Sequence, residues 1–267
     1  RLRAAGHTVI EVRPGDAFSR LSDTSYVVAP ERGREGYDLL LQDLAQQGHV
    51  PTRIAQFWLV TEGEHHRPGS SFFHRIQEQG FYALLFLAQA LAEENLPRPL
   101  HVTVLTTGAA RVAEEPLPYP AKATVAGPAR VIPRELPGVT VSTLDLQLPG
   151  PVAAGLFGRA RAEAAREAAL DHLTDQVLEE LLAEPGTDIA ALRGPRRYAR
   201  AMKPVTLPAP LALPEGGTWL LTGGFGGIGL SIAQDLARRG ATLVLVARQA
   251  LPDRAQWDDY LMRHAPQ

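Results

Sequence analysis

Thr218-Trp219-Leu220-Leu221-Thr222-Gly223-Gly224-Phe225-Gly226-Gly227-Ile228-Gly229 carries a short apolar run, Trp219 to Leu221, followed at once by five glycines in seven residues. An amphipathic segment, 230–239, comes next and stops at Gly240, and a second apolar run, 243–247, ends in Arg248. The order is strand, tight turn, helix, strand. That is one βαβ unit of about 30 residues, the context in which a glycine motif signals dinucleotide binding. Gly223 permits a sharp turn at the carboxyl end of the strand, where φ is often positive. Gly227 lets backbone approach a diphosphate closely, and Gly229 lets the helix pack tightly on the sheet. The helix start offers N–H groups and the positive end of its dipole to phosphates. Thr222, Gly223, Gly224, Phe225, Gly226, Gly227, Ile228 and Gly229 are therefore the candidate cofactor contacts. The bland alternative for the same glycines is an ordinary structural turn.

The tip of the second strand discriminates between dinucleotides. An acidic residue there accepts the ribose 2′-hydroxyl of NAD, whereas a basic one accommodates the 2′-phosphate of NADP. The chain reads Val246-Ala247-Arg248-Gln249, with no acid. Arg248 brings a planar, permanently charged fork suited to phosphate, which favours NADPH; a solvated arginine at a strand end is the alternative.

With 267 residues the chain is long enough for more than one domain and a substantial core. Lys plus Arg number 27 and Asp plus Glu 29, a formal charge of −2, so nothing global favours nucleic acid or an anionic membrane. There is no cysteine, which excludes disulfides, thiolate metal sites and a cysteine nucleophile and fits a cytoplasmic protein. No apolar run approaches the roughly 18–20 residues of a membrane span. Arg1 stands in mid-pattern with no initiator Met, so a segment of a longer chain is expected.

Ahead of the glycine motif, strand and helix patterns alternate. Residues 7–12 (HTVIEV) and 25–29 (SYVVA) read as strands separated by a turn at Pro14-Gly15-Asp16. Residues 37–47 have helical spacing and 54–60 (IAQFWLV) suit a buried parallel strand. Ser70 or Ser71 can cap one long helix running to Leu96. Strands are predicted at 101–105 and 139–146, a short helix at 121–131 and a long charged helix at 160–182. Residues 189–193 and 197–205 can pair as strands. This predicts a mostly parallel α/β sheet. Its nearest approaches to a glycine motif, Val60-Thr61-Glu62-Gly63-Glu64 and Leu105-Thr106-Thr107-Gly108-Ala109, lack the three-glycine spacing. Residues 207–214 (LPAPLALP) read as a linker, so the expected domains are 1–210 and 211–267. The fold class expected is α/β: two Rossmann-like, doubly wound parallel-sheet subdomains, the second truncated.

The spacing Thr-Gly-x-x-x-Gly-x-Gly at 222–229 resembles the fingerprint of short-chain dehydrogenases/reductases. A fingerprint-free α/β half followed by one carrying it resembles the ketoreductase region of a modular type I polyketide synthase, structural subdomain first. Gln56-Phe57-Trp58-Leu59-Val60, residues 127–135 (GPARVIPRE) and Ser142-Thr143-Leu144-Asp145 strengthen the likeness. The resemblance implies a reaction in which NADPH delivers hydride to the β-keto group of an acyl chain held on an acyl carrier protein. A Tyr, helped by a Ser and a Lys, would protonate the alkoxide. It implies neighbouring synthase domains as partners, and no metal, membrane or nucleic acid. The catalytic Tyr-x-x-x-Lys is absent: the residues four after Tyr26, Tyr37, Tyr82, Tyr119, Tyr198 and Tyr260 are Pro30, Leu41, Phe86, Ala123, Met202 and His264. No catalytic residue is assigned, and the pair is expected beyond Gln267. The rival reading is a truncated, non-reducing remnant that acts as a scaffold for neighbouring domains.

Other constellations carry less. Glu62, Glu64, His65 and His66 have loop composition rather than a metal motif. His172 falls on the charged helix as a surface residue, and no nucleophile-elbow context exists for a hydrolase triad. Arg193, Arg196, Arg197, Arg200 and Lys203 suit either a partner patch or strands facing solvent. Trp257 and Tyr260 are expected on a helix after Arg248, either packing there or rimming the adenosine pocket.

Overall fold

The computed structural model describes residues 1–62, 71–94, 96–150, 158–209, 213, 215–248 and 251–264. The chain divides into two compact units, Arg1–Met202 and Lys203–Gln267.

The first unit is built on a five-stranded sheet, β4 (Arg53–Leu59), β5 (Leu100–Thr107), β6 (Val139–Leu146), β7 (Ile189–Arg193) and β8 (Arg196–Ala199), in that spatial order. The first four strands are parallel and β8 closes the edge as an antiparallel hairpin partner of β7. Every residue of β5 is buried. A parallel strand covered on both faces needs that, and it agrees with the strand expected at 101–105. Side chains alternate between faces with period two. Val102, Val104, Val139 and Val141 join the core formed with α3 (Ala83–Glu93) and α4 (Ala126–Glu135). Leu105, Leu144, Leu146, Ala190 and Leu192 meet Leu173 and Val177 of α5 (Arg159–Leu182) on the other face.

A second sheet of this unit places β3 (Ser25–Val28) between β1 (Glu11–Pro14) and β2 (Ser19–Ser22). Tyr26 and Val28 pack against Tyr37, Leu40, Leu41 and Leu44 of α1 (Glu35–Gln46), and the Tyr26 hydroxyl donates to Asp43 Oδ2 at 2.7 Å. Sequence reading misses β2 and starts β1 four residues early. The four residues of β2 are all exposed, so the strand is held by backbone pairing to β3 and shows no apolar alternation.

Other expectations need correction. The single long helix is interrupted: α2 (Ser71–Ile76) passes into a π-helical turn, Gln77–Tyr82, before α3. Ser70 lies outside the described residues. Gly80 sits in that turn, where a Cβ would come within 2.9 Å of the buried Leu59 Cδ1. The wider turn leaves the Gln79 carbonyl to accept a hydrogen bond from Gln56 Nε2 at 2.9 Å. The short helix expected at 121–131 is a 3₁₀ segment, Pro120–Val125, leading into α4. The strand expected at 197–205 ends at Ala199, ahead of the prolines. Arg193 is no solvent-facing residue: its side chain is 11% exposed and ion-paired to Glu115 and Asp145.

The second unit holds β9 (Thr218–Thr222) and β10 (Thr242–Val246) in parallel register, joined by α6 (Gly227–Arg238). Ala233 and Leu236 of α6 are buried. Trp219, Leu221, Leu243 and Leu245 are half-buried alternates, while Leu220, Val244 and Val246 on the opposite side stay exposed. The last helix, α7 (Trp257–His264), follows; the Trp257 indole donates to the Pro252 carbonyl at 2.7 Å rather than into a core. The side chain of Tyr260 lies outside the described residues. Among the described residues no helix is long and apolar enough to cross a membrane.

One buried polar group in the α5-facing layer has a readable titration. His101 is 4% exposed, with Nδ1 2.7 Å from Thr140 Oγ1 and Nε2 3.1 Å from Ser142 Oγ. Burial, then the charge of Arg53, pushes its pKa below the ordinary 6.5. The folded state therefore resists protonation that the unfolded chain accepts, so stability is full above about pH 6.5 and falls as the pH drops below it. Urea unfolding between about pH 7.5 and 5 should show this decline for the first unit, and His101→Gln should flatten it. An unchanged slope in the variant would assign the decline to other groups.

Candidate functional site

The site forms where β9 stops. Its apolar residues carry the strand to Thr222, and Gly223 then turns with φ +69°, a left-handed conformation that favours glycine. The Gly224 N–H donates to the Val246 carbonyl at 3.2 Å, tying the loop to β10, and Gly226 N–H closes back on Gly223 O at 2.9 Å. Gly226 is the N-cap of α6 and has no side chain to cap the first turn. Helix starts leave N–H groups without intrahelical acceptors, and here nothing from the N-cap side chain consumes them.

The glycines divide by what a methyl group would meet. At Gly224 it would press on Leu245 and on the Leu221 carbonyl, at 2.9–3.1 Å. At Gly229 it would sit 2.4 Å from Gly223 O and 2.9 Å from Gly224 Cα. Gly229 therefore lets the helix pack against the loop's own backbone, and Gly224 makes the strand contact expected of Gly229. At Gly227 a methyl would meet nothing within 4 Å. That glycine borders open space.

The open space is a concavity of about 360 Å³. Thr222, Gly223, Gly226, Gly227, Ile228 and Gly229, among the candidate cofactor contacts, line it. Gly224 is buried behind the loop and Phe225 is half-buried, and neither lines it. Leu221 and Ile232 do, and sequence reading missed them. Ile232 stands one helical turn beyond Ile228, so the i, i+4 pairing of two isoleucines was the available signal. Arg248 lies two residues past the Thr222–Val246 register pair, exposed and outside the lining. The lining contains no ionisable side chain. The arrangement can therefore receive an anion at a helix start, beside an apolar ledge, but its lining residues offer no acid or base.

Of the remaining candidates, residues 63–70, with His65 and His66, lie outside the described residues, and Glu62 pairs with Arg166 at 2.6 Å. No group of three metal-ligating side chains occurs among the described residues. His172 is exposed on α5. Lys122, three residues after Tyr119, is fully buried, with Nζ 2.6 Å from Thr61 Oγ1, 3.0 Å from Thr107 Oγ1 and 4.5 Å from the Tyr119 ring centre.

Comparison with known proteins follows this division of the chain. Residues 2–156 match the family described as beta-ketoacyl synthase-like, N-terminal, and residues 217–264 match the KR domain. The chain is 33% identical over 180 residues to 6-methylsalicylic acid synthase of Aspergillus terreus (strain NIH 2624 / FGSC A1156), covering 67% of this chain and 9% of that protein. It is 36% identical over 170 residues to Erythronolide synthase EryA3 of Saccharopolyspora erythraea, covering 62% of this chain and 5% of that protein. It thus spans under a tenth of the length of either relative. An N-terminal ketoreductase from the macrolactin assembly line shares the fold, with a TM-score of 0.61 at 18% identity over 98% of this chain and 48% of that one. The chain belongs to the beta-ketoacyl synthase-like, N-terminal family and, with the KR domain that follows, to the ketoreductase region of modular polyketide synthases.

Proposed function

We propose that residues 222–229 hold the diphosphate of NADPH, and that Arg248 holds its 2′-phosphate. The chain would then be part of a ketoreductase that reduces the β-keto group of an acyl-carrier-protein-bound polyketide intermediate. The observation that carries this reading is the contrast among the glycines. Gly224 and Gly229 are closed in by protein, whereas Gly227 opens on empty space at an uncapped helix start. A bound diphosphate would account for a missing side chain at a position where one would fit. When bound, NADPH supplies the hydride. The residues of this chain bind and orient: the α6 start faces negative charge, Ile228 and Ile232 supply apolar contact, and Arg248 offers a bidentate fork.

In this proposal residues 1–210 support the fold and 211–267 begin the nucleotide-binding subdomain, with other synthase domains as neighbours and a cytoplasmic setting. The rival reading is a truncated, non-reducing remnant that serves as a scaffold for neighbouring synthase domains. Cofactor binding without turnover by any assembled form would favour it.

Titration of the chain with NADPH, followed by nicotinamide fluorescence, should saturate; no signal at about millimolar cofactor, near the weak end of measurable affinity, would remove the cofactor assignment. Gly227→Val should weaken binding at least about tenfold while leaving the melting temperature unchanged, because the new side chain enters only the ligand's space. Gly229→Ala should instead unfold or rearrange the second unit, through its clash with Gly223 O. Equal effects of the two on stability would refute this division of roles.

Arg248→Ala should weaken NADPH binding by about 1.5–3 kcal/mol, the worth of a hydrogen bond to a charged group, and leave NADH unaffected. Parallel losses for both cofactors would show that Arg248 does not read the 2′-phosphate.

A further inference from the structure

Residues 108–119 leave the carboxyl end of β5 and return beside it, the Tyr119 N–H donating to the Gly108 carbonyl at 3.0 Å. The segment is an Ω-type strap with adjacent ends. It runs at the carboxyl ends of β5, β6 and β7, the edge where open α/β sheets take their ligands.

A cation is built into that edge. Arg193, the last residue of β7, directs Nη1 to the Asp145 carbonyl at 3.1 Å and Nη2 to Asp145 Oδ2 at 2.8 Å. Asp145 is 3% exposed and already engaged, since its Oδ1 accepts from Thr106 Oγ1 at 2.6 Å and from Ala109 N–H at 2.8 Å. One guanidinium and one carboxylate, both anchored in the sheet, balance in charge without help from the strap. Yet the strap brings a second carboxylate: Glu115 takes Arg193 in a two-pronged grip, with Nη2 2.7 Å from Oε1 and Nε 3.0 Å from Oε2. The Ala110 carbonyl joins at 3.2 Å. This fork-to-fork geometry is how proteins hold a free carboxylate.

We propose that the first unit carries a carboxylate-binding crevice around Arg193, and that Glu115 is its resident internal ligand, making the strap a self-docked lid. The sheet supplies the receptor (Arg193, oriented by Asp145 and Thr106) and the loop supplies the occupant. A small carboxylate takes the same place when Glu115 is removed. No covalent step is involved.

The experiment uses the full 267-residue chain with Glu115→Ala and sodium formate as the probe, sodium chloride at equal ionic strength as control, and hydrogen exchange at the amides of Ala109 and Tyr119 as the readout. In the parent these amides donate to Asp145 Oδ1 and to the Gly108 carbonyl respectively, so they should exchange slowly. The variant should exchange them about tenfold faster, the loss of a charge-assisted contact, and formate should restore protection with a saturable dose dependence. Arg193→Met in the Glu115→Ala background should abolish the rescue. A formate response no greater than that to chloride, or one surviving Arg193→Met, would overturn the proposal. So would unaltered exchange in Glu115→Ala. Should Glu115→Ala fail to fold, Glu115→Gln keeps the side-chain volume, and the same two comparisons decide.

Discussion

The start of α6 passes so close to the turn after β9 that there is room for backbone and nothing else: a Cβ on Gly229 would lie 2.4 Å from the Gly223 carbonyl oxygen. The rest of the second unit follows from that approach. Gly223 must adopt positive φ to make the turn, Gly224 must lack a side chain to lie against Leu245, and Gly226 caps the helix with backbone alone. A bare helix start, with its dipole and unclaimed N–H groups, is what remains. Gly227 answers to no such internal demand. That sets it apart from Gly224 and Gly229, whose missing side chains the fold itself requires.

The first unit solves the same geometric problem in the opposite way. It too ends parallel strands at a common edge, but it fills that edge with charged and hydroxyl side chains. Lys122 lies among Thr61, Thr107 and the Tyr119 ring, and Arg193 lies between Asp145 and Glu115. A methyl on Gly108 would strike Pro118 and Tyr119 at 2.7 and 2.8 Å. An edge packed this way trades hydration of its ions for paired contacts, which suits rigidity rather than turnover. One architecture is open and uncharged at its crevice, the other closed and ionic.

What the sequence discloses follows the range of the interaction responsible. Residues 139–146 read as a strand and form β6 with the same bounds, because burial on both faces leaves an apolar pattern in the strand itself. The glycine loop is legible because steric need is local. The π turn is not, since it answers to Leu59, which belongs to another element. Arg193 looked like a solvent-facing base among bases. Its partners lie 48 and 78 residues away, beyond the reach of any window on the chain. β2 left no trace, for its four exposed residues contribute hydrogen bonds and no apolar side chains. In the site, Ile232 escaped notice because a helical isoleucine reads as core; it is instead 46% exposed and borders the concavity.

Sheet burial also bears on how the second unit acquires its stability. Ala233 and Leu236 are the buried apolar side chains of that unit among the described residues, and Leu220, Val244 and Val246 leave one side of its parallel strand pair bare. Parallel strands are ordinarily covered on both faces, and a two-stranded sheet with one helix buries too little to be robust. A ligand that bound the folded form would stabilise so lightly packed a unit in proportion to the logarithm of ligand concentration over its dissociation constant. The glycine loop is also the segment that joins α6 to both strands. A ligand held there would couple binding to folding through the same few backbone contacts: Gly224 to Val246, Gly226 to Gly223 and Leu230 to Gly226.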